Sequence, residues 1–343
     1  MSRENSSAGS FVRLKRLGLS AGCRRKFLAG AALVLTCATS ANYSWFPSAK
    51  EPGYRFTKSW GSTGSAQGEF LQPIGIAIDD NQLFVSDAGN NRIQVFDLDG
   101  NFLREFGRKG DGAGELGRPM HLAARAGKLY VAEYLNDRVQ VLSFDGQALS
   151  AFGASGVGPG QFDAPGGVAL DAAGNVYVAD FYNQRVQVFD PEGRFLRQHG
   201  TTGEKGIRAG RFNYPTDTAV LPTGELVVAD AYNDRIQVFA TDGTFLRKWG
   251  GPFALNISGH WPGWFRTATG VDAAPDGSVF VADFYNHRIQ KFTGDGEFLV
   301  AVGTHGTARG QFERPTDMTV DNTGNLYVVD FGNDRIQKFR PQR

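Results

Sequence analysis

One eight-residue phrase recurs six times along the chain and limits the folds open to it. The copies begin at Asp87 (Asp-Ala-Gly-Asn-Asn-Arg-Ile-Gln), Glu133, Asp180 (Asp-Phe-Tyr-Asn-Gln-Arg-Val-Gln), Asp230, Asp283 and Asp330. Their arginines are Arg92, Arg138, Arg185, Arg235, Arg288 and Arg335, so the spacings are 46, 47, 50, 53 and 47 residues. Self-similarity at that period means stacked supersecondary units, a propeller or a solenoid, and excludes a single wound domain. Within a repeat, short runs rich in Val, Phe and Tyr alternate with turns of Asp, Asn, Pro and Gly, as in Val176–Ala179, the Asp180–Asn183 turn, and Arg185–Phe189. Gly accepts positive φ at such turns, and Asp or Asn hydrogen-bonds the backbone two residues on. Each repeat therefore reads as four antiparallel strands, A to D, which is one propeller blade.

Counting strands predicts how the ring closes. The last repeat ends at its strand C (Ile336-Gln337-Lys338-Phe339), and an orphan strand D stands at Tyr54–Gly61, ahead of the first repeat. The expected fold is an all-β, six-bladed propeller of four-stranded antiparallel blades, with the N-terminal strand completing the last blade and removing two open sheet edges. The connectors from strand D to the next strand A carry Gly-Gln-Phe-x-x-Pro text, as at Gly160–Pro165. A phosphate-binding loop needs a strand-loop-helix setting, and a pattern repeated in every blade is an architectural joint.

The first 41 residues read differently. Arg24-Arg25-Lys26-Phe27-Leu28 precedes about a dozen weakly apolar residues, too short for a good bilayer span, and resembles a twin-arginine export signal with small residues Thr39 and Ala41 before a cut. We expect residues 1–41 to be an export signal or an outward-facing membrane anchor, the only part to contact a membrane. Residues 42–53 form a linker, and 54–343 are a periplasmic or extracellular propeller. Both cysteines, Cys23 and Cys37, lie in the first segment, so no disulfide is expected in the propeller. Lys plus Arg at 36 against Asp plus Glu at 35 disfavours a nucleic-acid partner, whose surface is normally strongly basic.

The repeat text, Val-x-Asp-x-x-Asn-x-Arg-Ile-Gln-Val-Phe preceded by Gly-x-Phe-x-x-Pro, resembles the NHL repeat over residues 54–340. That resemblance implies a propeller used as a sensor or ligand-binding module, as an RNA- or protein-binding module, or as the catalytic part of peptidyl-hydroxyglycine amidating lyases. In those lyases three histidines surround an axial zinc. Only His121 here matches an axial slot, and a catalytic zinc wants three converging protein ligands. We therefore expect no cofactor and no metal, and a non-enzymatic module for a protein, peptide or glycan, with a metal-dependent lyase or hydrolase as the alternative.

The acid and arginine of each turn should pair, because buried charges must, and Asn183 with its equivalents should hold a left-handed turn position. His199 takes a slot filled elsewhere by Phe106, Phe152 and Trp249 and should be packed; His287 takes a polar turn slot. The residues opening strand A are Gly75, His121, Gly167, Asp217, Gly270 and Asp317, nearest the axis on the face shared with the connectors. Blade five's connector, Gly251–Arg266, departs from the joint pattern and gathers His260, Trp261, Trp264, Phe265 and Arg266, with Trp264 and Phe265 as candidates for the missing plug. His121, Asp217, Asp317, His260, Trp261 and Arg266 are thus expected to form the ligand-binding face, Trp261 and Arg266 making a rim beside the funnel.

Overall fold

A computed structural model describes residues 47–343; residues 1–41, expected to be an export signal or anchor, and the start of the expected linker lie outside the described residues. Six four-stranded antiparallel sheets form the blades. In blade three they are strand A (Pro165–Leu170), B (Val176–Asp180), C (Arg185–Phe189) and D (Phe195–Gly200), paired in that order. The A strands lie innermost and pack on their neighbours around the axis. Strands B and C are buried along both faces, strand B as a mainly apolar run and strand C with Arg185 and Gln187 buried beside its valines, whereas strand D keeps the in-out alternation of a half-covered edge.

Each apolar cluster spans two neighbouring blades. Val139 and Val141 of blade two, for example, meet Val168, Val176 and Val178 of blade three, with Phe162 and Phe189 between them. No blade buries its own faces, so stability arises at the seams. The connector phenylalanine plugs each seam: Phe70, Phe162, Phe212, Phe265 and Phe312, with Leu116 in blade two, have no exposed surface. Phe265 is therefore the plug of the irregular connector, standing where Phe162 stands, and Ala268 follows it where the other five blades have Pro. The irregularity lies upstream, in 251–262.

Closure follows the expected route. Tyr54–Trp60 pairs antiparallel with Arg335–Pro341, with Phe56 opposite Phe339 and Trp60 opposite Ile336, and completes the sheet of Leu326–Asp330 and Asp317–Val320. The blade thus formed packs Tyr327, Val329 and Ile336 against Phe70, Leu83 and Val85 of blade one. Residues 47–53, read as linker, lie along blade five: the Lys50 amide donates to the Leu299 carbonyl at 2.7 Å and Lys291 pairs with Glu51 at 2.8 Å. That cover explains why the outer strand Phe298–Val302 is mostly buried while its counterparts are half-exposed. Among the described residues no helix is long and apolar enough to cross a membrane.

Candidate functional site

The repeated turn is structural. Asp180 accepts hydrogen bonds from Nε of Arg185 (2.7 Å), Nδ2 of Asn183 (2.9 Å), Nε2 of Gln187 (3.2 Å) and the Asp163 amide (2.9 Å). Arg185 in turn donates to the carbonyls of Val157, Gly158 and Gln161 in the connector. The same acid–arginine pair recurs at 2.7–2.8 Å in all six blades. One expectation is corrected. Asn183 and its equivalents are not left-handed; the next residue is, at Asn91, Asp137, Gln184, Asp234, His287 and Asp334. Asn183 instead donates to both Asp180 and the Gly156 carbonyl, which needs an amide nitrogen pointing inward from an ordinary backbone.

At the axis, His121, Asp217 and Asp317 come from strands A of blades two, four and six and are each at least 96% buried. The alternate blades supply Gly75, Gly167 and Gly270. A Cβ on Gly75 would sit 2.6 Å from the His121 Cα, and one on Gly167 would sit 2.4 Å from the Asp217 Cα, so the innermost ring has room for three side chains. The donor atoms of His121, Asp217 and Asp317 all lie within 4.8 Å of one another. Asp317 Oδ2 accepts the Ile76 amide of blade one (2.9 Å) and Asp217 Oδ2 accepts the Val271 amide of blade five (2.8 Å), each tying its blade to the next. His121 makes no such tie. Both its ring nitrogens are buried without a hydrogen-bond partner, and Nδ1 stands 3.6 Å from Asp217 Oδ1.

Burial lifts the carboxyls here above their ordinary range: Asp217 is raised by desolvation, and Asp317 well above it by desolvation and by the neighbouring Asp217 charge. Asp272, just below, is pushed up to about 6, chiefly by burial. Chemically this is one imidazole with two poorly solvated carboxyls, able to accept, hold or pass a proton, or to offer one nitrogen and two oxygen ligands. It is not the three-imidazole set implied by the lyase resemblance: His260 stacks on Trp261 at 4.6 Å, and His305 bonds to Glu313.

His121 separates two cavities. On the side away from the connectors, about 360 Å³ is lined by Asp217, Asp272, Asp317, Asn322 and the flanks of the A strands. On the connector face, about 540 Å³ is walled by Tyr134, Phe181, Tyr182, Tyr214, Tyr232 and Phe331, with Arg118, Met120 and Thr216 among the remaining lining and His121 at its floor. Phe181 stacks on Tyr214 (4.8 Å, 27°), Tyr214 meets Tyr232 edge-on (5.0 Å), and the Tyr134 and Tyr182 hydroxyls are bonded at 2.9 Å. Burial and the Tyr182 hydroxyl push Tyr134 up to about 12, so it stays neutral. All of these aromatics but Tyr214, which stands in a connector before Pro215, escaped the sequence reading because they follow the acid of the turn, a stretch that reads whole as architecture. The signal was there: the two positions after the acid vary among the blades, reading Ala-Gly, Tyr-Leu, Phe-Tyr, Ala-Tyr, Phe-Tyr and Phe-Gly in order.

Trp261, Arg266 and His260 are not in the lining of either cavity. Trp261 is 40% exposed, its carbonyl accepts from Arg288 at 2.9 Å as Gly158 accepts from Arg185, and Arg266 lies 5.6 Å over the Tyr285 ring. They occupy the outer part of the connector of blade five.

Comparison with known proteins agrees with this architecture. The NHL repeat family matches residues 70–96, 162–189, 212–239, 265–292 and 312–339. Blade two, with Leu116 for the plug and Glu133 for the turn acid, is not among the matched segments. Protein lin-41 of Caenorhabditis elegans is 46% identical over 46 residues, 13% of this chain and 4% of that protein's length. A protein of unknown function from Bacteroides thetaiotaomicron superposes with a TM-score of 0.62 at 17% identity, covering 86% of this chain and 74% of that one. Virginiamycin B lyase from Staphylococcus aureus, in a catalytically inactive His-to-Ala form with quinupristin, gives 0.56 at 16% identity, covering 84% and 89%. A streptogramin B lyase gives 0.58 at 16%, covering 83% and 98%. At such identities the likeness is one of fold. With five matched repeats in a closed ring of six four-stranded blades, the chain is an NHL-repeat β-propeller.

Proposed function

We propose that this protein is an exported, non-enzymatic binding propeller that takes a protein, peptide or glycan on its connector face, anchoring one group of that ligand in the aromatic cavity above His121. The observation that carries the reading is the wall formed by Tyr134, Phe181, Tyr182, Tyr214 and Tyr232. Rigid tyrosines offer large apolar faces with polar tips at low entropic cost, which suits the flat face of a sugar or an apolar peptide side chain. Trp261 and Arg266 would serve only a ligand long enough to continue over blade five.

The test is binding of immobilised glycans and short peptides to the full chain and its variants. Tyr182→Ala and Tyr214→Ala are each expected to weaken the best binder by about tenfold or more with little change in melting temperature. Trp261→Ala reports whether the ligand extends outward. A binder indifferent to both tyrosine variants would refute the site.

A second reading, a metal-dependent lyase or hydrolase, is favoured by His121, whose buried ring nitrogens lack partners beside Asp217 and Asp317. Two solved propellers of like fold are lyases by name, one inactivated through a histidine. Turnover of a bound peptide or cyclic ester, abolished by His121→Ala, would replace the first reading with this one.

A further inference from the structure

The seam between blades five and six holds a second constellation, away from the axis. In every blade the left-handed turn residue accepts the backbone amide at the end of the next connector: Asn91 from Arg118, Asp137 from Ala164, Gln184 from Tyr214, Asp234 from Thr267 and Asp334 from Gln72, all through a side-chain oxygen. Blade five alone uses an imidazole, His287 Nδ1 accepting the Arg314 amide at 3.1 Å. An amide side chain would latch the seam equally well, so the latch does not account for a histidine.

What the ring adds is its neighbourhood. His305 packs on it with centroids 4.2 Å apart, and His305 Nε2 is 2.6 Å from Glu313 Oε2, which in turn stands 3.9 Å from His287 Nδ1. Arg314 Nε donates to the other oxygen, Oε1, at 3.1 Å, turning Oε2 toward the imidazoles in the way outer-shell partners orient ligands. One donor atom from each of the three residues lies within 4.8 Å of the others. Ligands on a tetrahedral ion at about 2.0–2.1 Å stand roughly 3.4 Å apart, between the 2.6 and 3.9 Å found here. His305 is two-thirds exposed, leaving the fourth position to solvent.

We propose that His287, His305 and Glu313 form a site for a divalent transition metal of the zinc class, clamping the turn of blade five to the connector of blade six. Two imidazoles and a carboxylate are the donor set that suits zinc, nickel and copper over magnesium or calcium. On binding, the metal takes the place of the hydrogen between His305 Nε2 and Glu313 Oε2. The displaced proton passes through solvent to Nδ1 of the same ring, so no net proton is lost. His287 Nδ1 gives its lone pair to the metal instead of the Arg314 amide, exchanging a neutral hydrogen bond for a stronger coordinate one.

The full chain, stripped with a chelator, is titrated with zinc by calorimetry and with cobalt(II), whose visible absorption reports tetrahedral nitrogen and oxygen ligation. One zinc per chain is expected at this site. His305→Ala and His287→Asn should each weaken it by about a hundredfold or more, since loss of a ligand exceeds loss of an outer-shell partner. His287→Asn keeps the latch that Asn91 makes in blade one, so its metal-free melting temperature should match the wild type. His121→Ala should leave this zinc in place. No zinc uptake, or uptake unchanged in a His287→Asn, His305→Ala double variant, overturns the proposal, as does zinc lost only with His121.

Discussion

His199 shows what one side chain costs in this core. It fills the strand D slot that Phe106, Phe152 and Trp249 fill elsewhere, packs 5.1 Å from the Phe239 ring, and leaves Nε2 buried without a partner. Burial, and then the Arg197 charge, push its pKa down from 6.5 to about 4. Below about pH 6.5 the unfolded chain takes up a proton that the folded chain refuses, so folding stability is lost as pH falls toward 4. His199→Phe should raise stability by about 1 kcal/mol at pH 7 by removing the unsatisfied nitrogen, and by about 2 kcal/mol more at pH 5. Urea unfolding at the two pH values checks this; a gain independent of pH would mean the ring titrates normally. His199 was legible as a packed residue because its slot could be compared across blades. Asn183 was misread because residue type alone suits both a left-handed backbone and an amide donor, and only the partner carbonyl of Gly156 distinguishes them.

At the scale of the element, the turn between strands B and C is a knot that fastens each connector to its blade. Arg185 and Arg235 are essentially unexposed, and each bonds both its own acid and connector carbonyls. Arg185→Met should therefore cost about 3–5 kcal/mol, because Asp180 keeps its burial and loses its cation. An Asp180→Asn partner change should recover part of that loss, a coupling that a double-mutant cycle in urea measures. Equal, additive losses would show that packing alone holds the turn. Strands and turns were readable because short runs rich in Val, Phe and Tyr and the turn residues between them repeat six times. The aromatic cavity was not, since it exists only where turn aromatics of blades two, three, four and six converge with Tyr214 of a connector. Tyr134 and Tyr182 are 48 residues apart in sequence, and only the inter-blade angle brings their hydroxyls to 2.9 Å.

For the whole molecule, ring closure rests on pairing Tyr54–Trp60 with Arg335–Pro341. Removing residues 54–61 would bare the edge of Arg335–Pro341 and uncover Phe339, which Phe56 meets edge-on at 5.9 Å. The truncated chain is expected to unfold or self-associate, seen as a lower melting temperature or a shifted sedimentation coefficient; an unchanged monomer would contradict this closure. The ring also sets a ceiling on its own centre. Because Gly75, Gly167 and Gly270 let the backbones of blades one, three and five pass against their neighbours, only even-numbered blades send a side chain to the axis. Sixfold architecture thus presents threefold chemistry. Any redesign of the centre has three letters to write with, at positions 121, 217 and 317, and a fourth would have to force two backbones apart.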